Sequence, residues 1–362
     1  MSDNITEYKC PACGGQMEFN SKLQMMKCPY CDTQMSLEEF EQALKEAEDF
    51  TEEGKAFKEE SGENHWDAED KQHIHIYVCE SCGGEILADD TLGASSCPFC
   101  GNKIVMKGQF EGDLKPDYII PFKLDKKDAK EGYLRHLKGK PFLPKIFKEQ
   151  NHIDEIKGIY VPFWIFDAKA DGRAEFKAER VRIWRNQDTE YTETTFYEVE
   201  RGGSLEFEHV PEDGSEKMDD ALMESVEPYD FKDAVPFKSA YLAGYLADRY
   251  DVEAEECIKR AKRRMKGSVE KEFRDTVTGY DHVTLTDSSI DVKDADYSYV
   301  LYPVWILNTT YKKEKYVFAM NGQTGKVVGN LPADKKAFYR FVGLGTLIGW
   351  VVIYLILSFL FM

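Results

Sequence analysis

Positive charge is scarce in this chain. Its 362 residues carry 47 Lys and Arg against 66 Asp and Glu, a formal net charge of -19. That balance argues against general binding to a phosphate backbone, which needs a net positive surface. Histidine is sparse as well, with seven in all. No HExxH occurs, no GxSxG elbow, and no GxGxxG after a strand. Zincin, α/β-hydrolase and dinucleotide-binding chemistries therefore lack their residues, and no enzyme is expected. Asn321–Lys326 (NGQTGK) fails the GxxxxGKS/T phosphate-loop pattern and reads as a hairpin turn. The start, MSDNITEYKC, has neither a basic n-region nor an apolar h-region, so no signal peptide is expected.

Cysteine is plentiful and patterned. Eight of the nine fall in four CxxC pairs: Cys10/Cys13 with Cys28/Cys31, and Cys79/Cys82 with Cys97/Cys100. A shift of 69 residues superimposes the two sets, and with them Tyr8 on Tyr77, Gly14–Gly15 on Gly83–Gly84 and Pro29 on Pro98. This internal repeat reads as two four-cysteine zinc ribbons, because four thiolates suit a closed tetrahedral Zn²⁺ site. Two ions with four cysteine ligands each are expected. An iron site and redox or disulfide chemistry are the alternatives, and no thioredoxin-like unit surrounds the pairs. Gly14, Gly83, Gly101 and Asp32 follow the second cysteines, where a left-handed residue aims backbone N–H groups at sulfur. Thiolate ligands require a reducing compartment. His73 and His75 lie beside the second set, but four cysteines already fill it. Cys257 is left over and reads as a buried, inert thiol.

Charge disappears at the other end. Phe341–Met362 is 22 residues without a charged side chain. As a helix it reaches ~33 Å, enough for a ~30 Å hydrocarbon core, so a transmembrane helix is expected over a buried core helix. Lys335, Lys336 and Arg340 precede it and place that side in the cytoplasm by the positive-inside rule. Gly345 and Gly349 form a GxxxG, a spacing that suits a homodimer.

Between these ends, residues 36–70 hold 14 acids against three bases. Ser36 and Glu39 form a capping box before Leu37, Phe40, Leu44 and Ala47, so an acidic helical spacer is expected. Asp117–Phe122 and Ile159–Ala168 read as strands. Asp125 caps a helix to about Lys138. Asp171–Gly172 and Arg201–Gly203 read as turns. Helices are expected near 216–226, 239–248 and 252–274, and strands at His282–Val292, Tyr297–Leu307 and Lys315–Met320. Pro121-Phe122-Lys123 with Pro162–Ile165 and Pro236-Phe237-Lys238 with Pro303–Ile306 suggest two related halves sharing one mostly antiparallel sheet, their tryptophans in the core. Asp219–Asp220 reads as solvated helix surface. The basic run Lys259–Lys266 is flanked by glutamates on its own helix, which would pair with it; a lipid surface, and nucleic acid or a partner, are the alternatives.

The paired CxxC sets, the P-x-W strands at Pro162–Trp164 and Pro303–Trp305, and the terminal apolar run together resemble a family: the TFIIB-type zinc-ribbon membrane proteins of Gram-positive bacteria. That resemblance implies proximity to a phage-shock protein A-type membrane-stress system. The expected organisation is multidomain: zinc ribbon 1 (1–35), an acidic helical linker (36–74), zinc ribbon 2 (75–110), both rubredoxin-like, an α+β domain (111–331), and a membrane-proximal segment with the transmembrane helix (332–362). The expected role is a tail-anchored adaptor that meets membrane lipid through 341–362 and organises partner proteins at the cytoplasmic face. The alternative is a membrane-tethered nucleic-acid-binding regulator, which the few basic residues of the ribbons (Lys9, Lys22, Lys27, Lys103, Lys107) disfavour.

Overall fold

The computed structural model describes residues 9–13, 15–40, 42–43, 66, 74–89, 96–102, 104–109 and 114–360. Around the first cysteine set, β1 (Glu18–Asn20), β2 (Met25–Lys27) and β3 (Gln34–Met35) form a small antiparallel sheet. The capping box forms: Ser36 N–H donates to Glu39 at 2.8 Å and Glu39 N–H to Ser36 Oγ at 3.2 Å. Leu44, Ala47 and most of the acidic spacer lie outside the described residues. Trp66 is buried edge-on against Phe237, ring centres 5.4 Å apart.

The second cysteine set is framed by β4 (Ile74–Val78), β5 (Glu85–Asp89) and β6 (Val105–Gln109). The rest comprises β7 (Tyr118–Ile119), α1 (Lys126–Leu137), α2 (Gln150–Ile153), β8 (Lys157–Asn186), β9 (Thr189–Asp213), α3 (Asp220–Val226), β10 (Val235–Pro236), β11 (Leu246–Asp248), α4 (Ala254–Asp275), β12 (His282–Tyr311), β13 (Glu314–Asn321), β14 (Val327–Gly329) and α5 (Lys335–Leu360). One eleven-stranded sheet runs β10-β7-β12-β8-β11-β5-β4-β6, with β9 on β8 and β13–β14 on β12. It is antiparallel except at β11–β8 and β12–β7. The strands around the second cysteine set thus continue the body's own sheet, joined through Ile86–Asp248 and Leu87–Ala247.

The two thirty-residue strands, β8 and β12, form its spine. Val161 faces Tyr302, Pro162 faces Leu301 and Pro303 faces Tyr160, a locally two-fold pairing. Trp164 and Trp305 are both buried. Trp164 donates its indole N–H to Val252 O at 2.8 Å, just ahead of α4, and Trp305 donates to Leu124 O at 3.1 Å, just ahead of α1. Asp125 caps α1 with a full capping box.

The burial pattern of β8 follows its sequence. Ile159–Phe166 is apolar throughout and covered on both faces. Ala168, Ala170, Ala174, Phe176 and Ala178 then alternate inward, the period of a strand with one covered face. Their small side chains let α4 lie close, with Cys257, Ala261, Met265, Val269 and Phe273 on its buried stripe.

Two expected turns are absent for one reason. Gly172 and Gly203 face each other in the middle of the β8–β9 hairpin, and the strands continue past them. A Cβ on Gly172 would stand 2.7 Å from Ile290 of β12, so this glycine serves close packing of strands. The chain instead reverses at Gln187–Asp188, with Gln187 at φ +51°. Residues 239–248 are likewise a short 3-10 turn (Ser239–Leu242), then Gly244 at φ +88°, then β11. The two strands expected within 282–307 are one, with its register shifted between Lys293 and Asp296. Asn321–Lys326 does turn β13 into β14.

Met265→Ala removes a fully buried side chain from the α4 stripe and should cost about 2–5 kcal/mol in denaturant unfolding. Exposed Lys271→Ala on the same helix should stay within about 0.5 kcal/mol. Equal effects would contradict this seating of α4.

Candidate metal centres

Each cysteine set converges on one point. The four sulfurs of Cys10, Cys13, Cys28 and Cys31 lie within 4.8 Å of one another, as do those of Cys79, Cys82, Cys97 and Cys100. The shortest separations are 3.5 and 3.6 Å in the first group and 3.4 and 3.6 Å in the second. Four sulfurs around a tetrahedral ion with ~2.3 Å bonds lie ~3.8 Å apart, so both groups fit a four-thiolate metal site. None of the nine cysteines is in a disulfide.

The backbone builds the knuckles alike. Cys10, Cys28, Cys79 and Cys97 each donate N–H to the carbonyl five residues on, at 2.6–2.9 Å. Asp32, Gly83 and Gly101 donate back to Cys28, Cys79 and Cys97, and all three are left-handed, at φ +58°, +71° and +75°. Gly14 lies outside the described residues. Cβ atoms on Gly15 and Gly84 would stand 2.6 and 2.8 Å from the rings of Tyr30 and Phe99, which each repeat places at the same position. Thr33 hydrogen bonds pull the Cys31 thiol down to about 6. Cys13, despite a favourable bond from the Gly15 backbone, is pushed up to about 12 by the sulfurs of Cys31 and Cys28. Four thiolates so close together repel, and a bound cation is what lets all four ionise.

The two centres differ in setting. The first leaves Cys13 and Cys31 exposed. Its sheet docks through Phe19 N–H to Ala243 O at 3.2 Å, Gln24 Nε2 to Phe122 O at 2.8 Å, and Lys22 to Asp125 and Asp128 at 3.0 and 3.2 Å. The second is embedded: Cys79 and Cys97 share a core with Ile159, Val161, Val304 and Ile306. Lys157 donates to Ser96, and Asn308 to Pro98 O. Arg249 pairs with Glu85 at 2.8 Å. His75 is on β4 and belongs to neither group of ligands among the described residues; His73 lies outside them.

A second polar cluster escaped the sequence analysis. Glu212, Asp213 and Asp248 are almost fully buried. Ser215 links the two aspartates: its N–H donates to Asp213 Oδ1 at 3.1 Å and its hydroxyl to Asp248 at 2.5 Å. Asp213 Oδ2 is buried without a hydrogen-bond partner among the described residues. Burial lifts Asp213 to about 8, despite the Ser215 bond, with Asp220 adding repulsion and Arg260 opposing it. Arg260 and Arg264 of the basic run are drawn into this cluster, and their partners come from other elements instead of their own helix. Arg260 meets Glu212 at 3.3 Å and also Asp220, while Arg264 meets Glu227 at 3.0 Å and Glu212 at 3.3 Å. Asp219 caps α3 through Leu222 N–H at 2.9 Å, so the Asp219–Asp220 pair has work beyond solvation. Cys257 is buried beside Asp213, and burial pushes its thiol up to about 11. The local sequence VPEDGSE resembles a polar turn, and only the crossing of α4 reveals its burial.

The C-terminal helix α5 is the one helix among the described residues long and apolar enough to cross a membrane, and none of its most apolar stretch is buried inside the body. Asp334 opens it, donating N–H to Phe142 O at 2.6 Å and accepting from Lys336 N–H at 2.9 Å.

This architecture has a relative. The chain is 32% identical over 331 residues to the uncharacterized protein YdjG of Bacillus subtilis (strain 168), covering 91% of each chain. The chain belongs to the family of that protein. No protein-family profile matches the chain. No solved structure matches it.

Two outcomes are expected here. A chelator should strip the first centre, with its two exposed sulfurs, before the second, and Cys97→Ser should lower the melting temperature more than Cys31→Ser. Metal analysis of partly stripped protein checks the order; simultaneous loss would contradict it. Separately, native Asp213 keeps a proton that the unfolded chain releases at its ordinary 3.8. Its stabilising contribution is complete below that value and is lost as pH rises towards about 8. The stability gap favouring Asp213→Asn should therefore widen from about pH 4 to about pH 8 and then level. Thermal melts of both proteins across pH measure it, and a constant gap would contradict a neutral Asp213.

Proposed function

We propose that this chain is a zinc-braced adaptor, anchored by α5 with its body on the cytoplasmic side, which gathers partner proteins at that membrane surface. The observation that carries this reading is the free end of the β8–β9 hairpin. β12 begins opposite Glu179, and beyond it the hairpin is a two-stranded ribbon without a third strand among the described residues. Ile183, Trp184 and Tyr191 are exposed there, and Phe196 is exposed where the ribbon begins. Trp184 and Tyr191 stack at 5.6 Å, ordered in advance of any contact. Apolar residues grouped on a ribbon that builds no core favour a contact surface.

Zinc is favoured for both centres by four soft sulfur donors at tetrahedral spacing, and closed four-cysteine sites are structural. Lys335, Lys336 and Arg340 ahead of the uncharged run favour the cytoplasmic side, as do thiols kept reduced. Gly345 and Gly349 have open space around them on α5, which suits a homodimer. The reciprocal tryptophan contacts favour descent of the body from a duplicated half. Proximity to a phage-shock protein A-type stress system belongs to this proposal too. Nucleic-acid binding is disfavoured, since Lys22 pairs with Asp125 and Asp128, and Lys27 with Asp32.

Crosslinked co-purification from membranes tests the reading. The full chain should capture partner proteins. Deleting residues 341–362 should lose the membrane-bound ones. Trp184→Ala with Tyr191→Ala should lose them while leaving the melting temperature within about 2 °C. A full chain recovered alone, or an unchanged partner set from the tip variant, would overturn the proposal.

A further inference from the structure

Residues 134–148 run LRHLKGKPFLPKIFK and contain five Lys or Arg and no Asp or Glu. The end of α1 and the loop after it place this segment at the foot of α5. Phe142 packs edge-on against Phe338 and Phe341 of α5, with ring centres 5.3 and 5.5 Å apart. Its carbonyl also accepts the N–H of Asp334. Phe341 is the first residue of the uncharged run, so Phe142 sits where the helix would enter hydrocarbon.

Chain geometry then fixes the neighbours. Lys140 is two residues from Phe142 and Lys145 three, so their Cα atoms lie within ~7 and ~11 Å of it. The polar headgroup layer is ~5–8 Å deep on each side of the hydrocarbon core. Arg135, Lys138, Lys140, Lys145 and Lys148 are all exposed, and none makes an ion pair with the described residues. They line or adjoin an open cleft of about 970 Å³ beside Leu134, which is 49% exposed. The acids near them are Glu131 on the cleft wall, Glu149 after the segment, and Asp334, which is spent capping α5. Arg260 and Arg264, by contrast, are consumed inside the body, where they pair with Glu212, Asp220 and Glu227.

We propose that residues 134–148, with Lys335, Lys336 and Arg340, form a basic collar that binds the anionic phospholipid headgroups of the bilayer that α5 enters, and so fixes the body's orientation on the membrane. Charge complementarity and continuity with the span carry this, and it rests on the reading of α5 as a span. Leu134 lies among these charges, an apolar side chain placed for the acyl boundary.

The test uses full-length protein in nanodiscs of phosphatidylcholine alone, or with about one-third phosphatidylglycerol. Acylation of lysine amines is followed by peptide mapping, with exposed Lys259 on α4 as the internal control. Lys138, Lys140, Lys145 and Lys148 should be acylated roughly threefold more slowly in the anionic discs, the difference vanishing in high salt, while Lys259 is unchanged. Equal rates in the two discs, with the protein still co-eluting with them, would overturn the collar and leave the span standing. Protein eluting apart from both discs would overturn the span, and the collar with it.

Discussion

β8 and β12 run side by side from the buried heart of the body outwards, and the places of the other elements follow from that pairing. Val161 opposite Tyr302 sets the register, and because the side-chain period is two, this one choice decides which residues of both strands face each layer. Trp164 and Trp305 then reach across to the chain ahead of α4 and α1. The inner end of β8 accepts β11 as a parallel neighbour, and β11 accepts β5. The second cysteine group is thereby attached to the spine, while the first rests on the chain around Phe122 and Ala243. Among the described residues the outer end of β8 continues with β9 alone, so the same strand adjoins a four-cysteine group at one end and carries an exposed aromatic pair at the other.

The cysteine groups were fully legible in the sequence, because a four-sulfur site demands fixed residue types at short, repeated spacing, and a 69-residue shift exposes it. α5 was legible for a similar reason: a run without charge has few alternatives. The long hairpin was not. Gly172, Gly202 and Gly203 carry the same local signal whether a chain turns or two strands press together, and only Ile290 arriving from β12 decides between them. The buried carboxylates were hidden for the same reason. Glu212 and Asp213 sit in a segment of turn-forming residues, and their burial comes from α4, more than forty residues away in the chain. Local signals survive where chemistry is local and fail where a distant element supplies the environment.

Charge acquires a geography from this arrangement. The acidic excess of the chain is concentrated in residues 36–70, most of which fall outside the described residues. Arg260 and Arg264 of the conspicuous basic run on α4 turn inward to hold buried carboxylates. The less conspicuous basic residues of 135–148 stay exposed beside the foot of α5. A chain that is acidic in sum thus presents positive charge beside the foot of its long apolar helix.

The second four-cysteine group is built into the spine sheet. Amide hydrogen exchange on the full-length chain, with metal and after chelation, tests this most directly. Removal of metal from both centres should speed exchange in β4, β5, β11 and the facing Ile159–Tyr160 of β8, while Val300–Val304 of β12 and the α4 stripe stay protected. Unchanged protection of β11 and β8 after complete removal of metal would contradict it, and would make the centre an appendage.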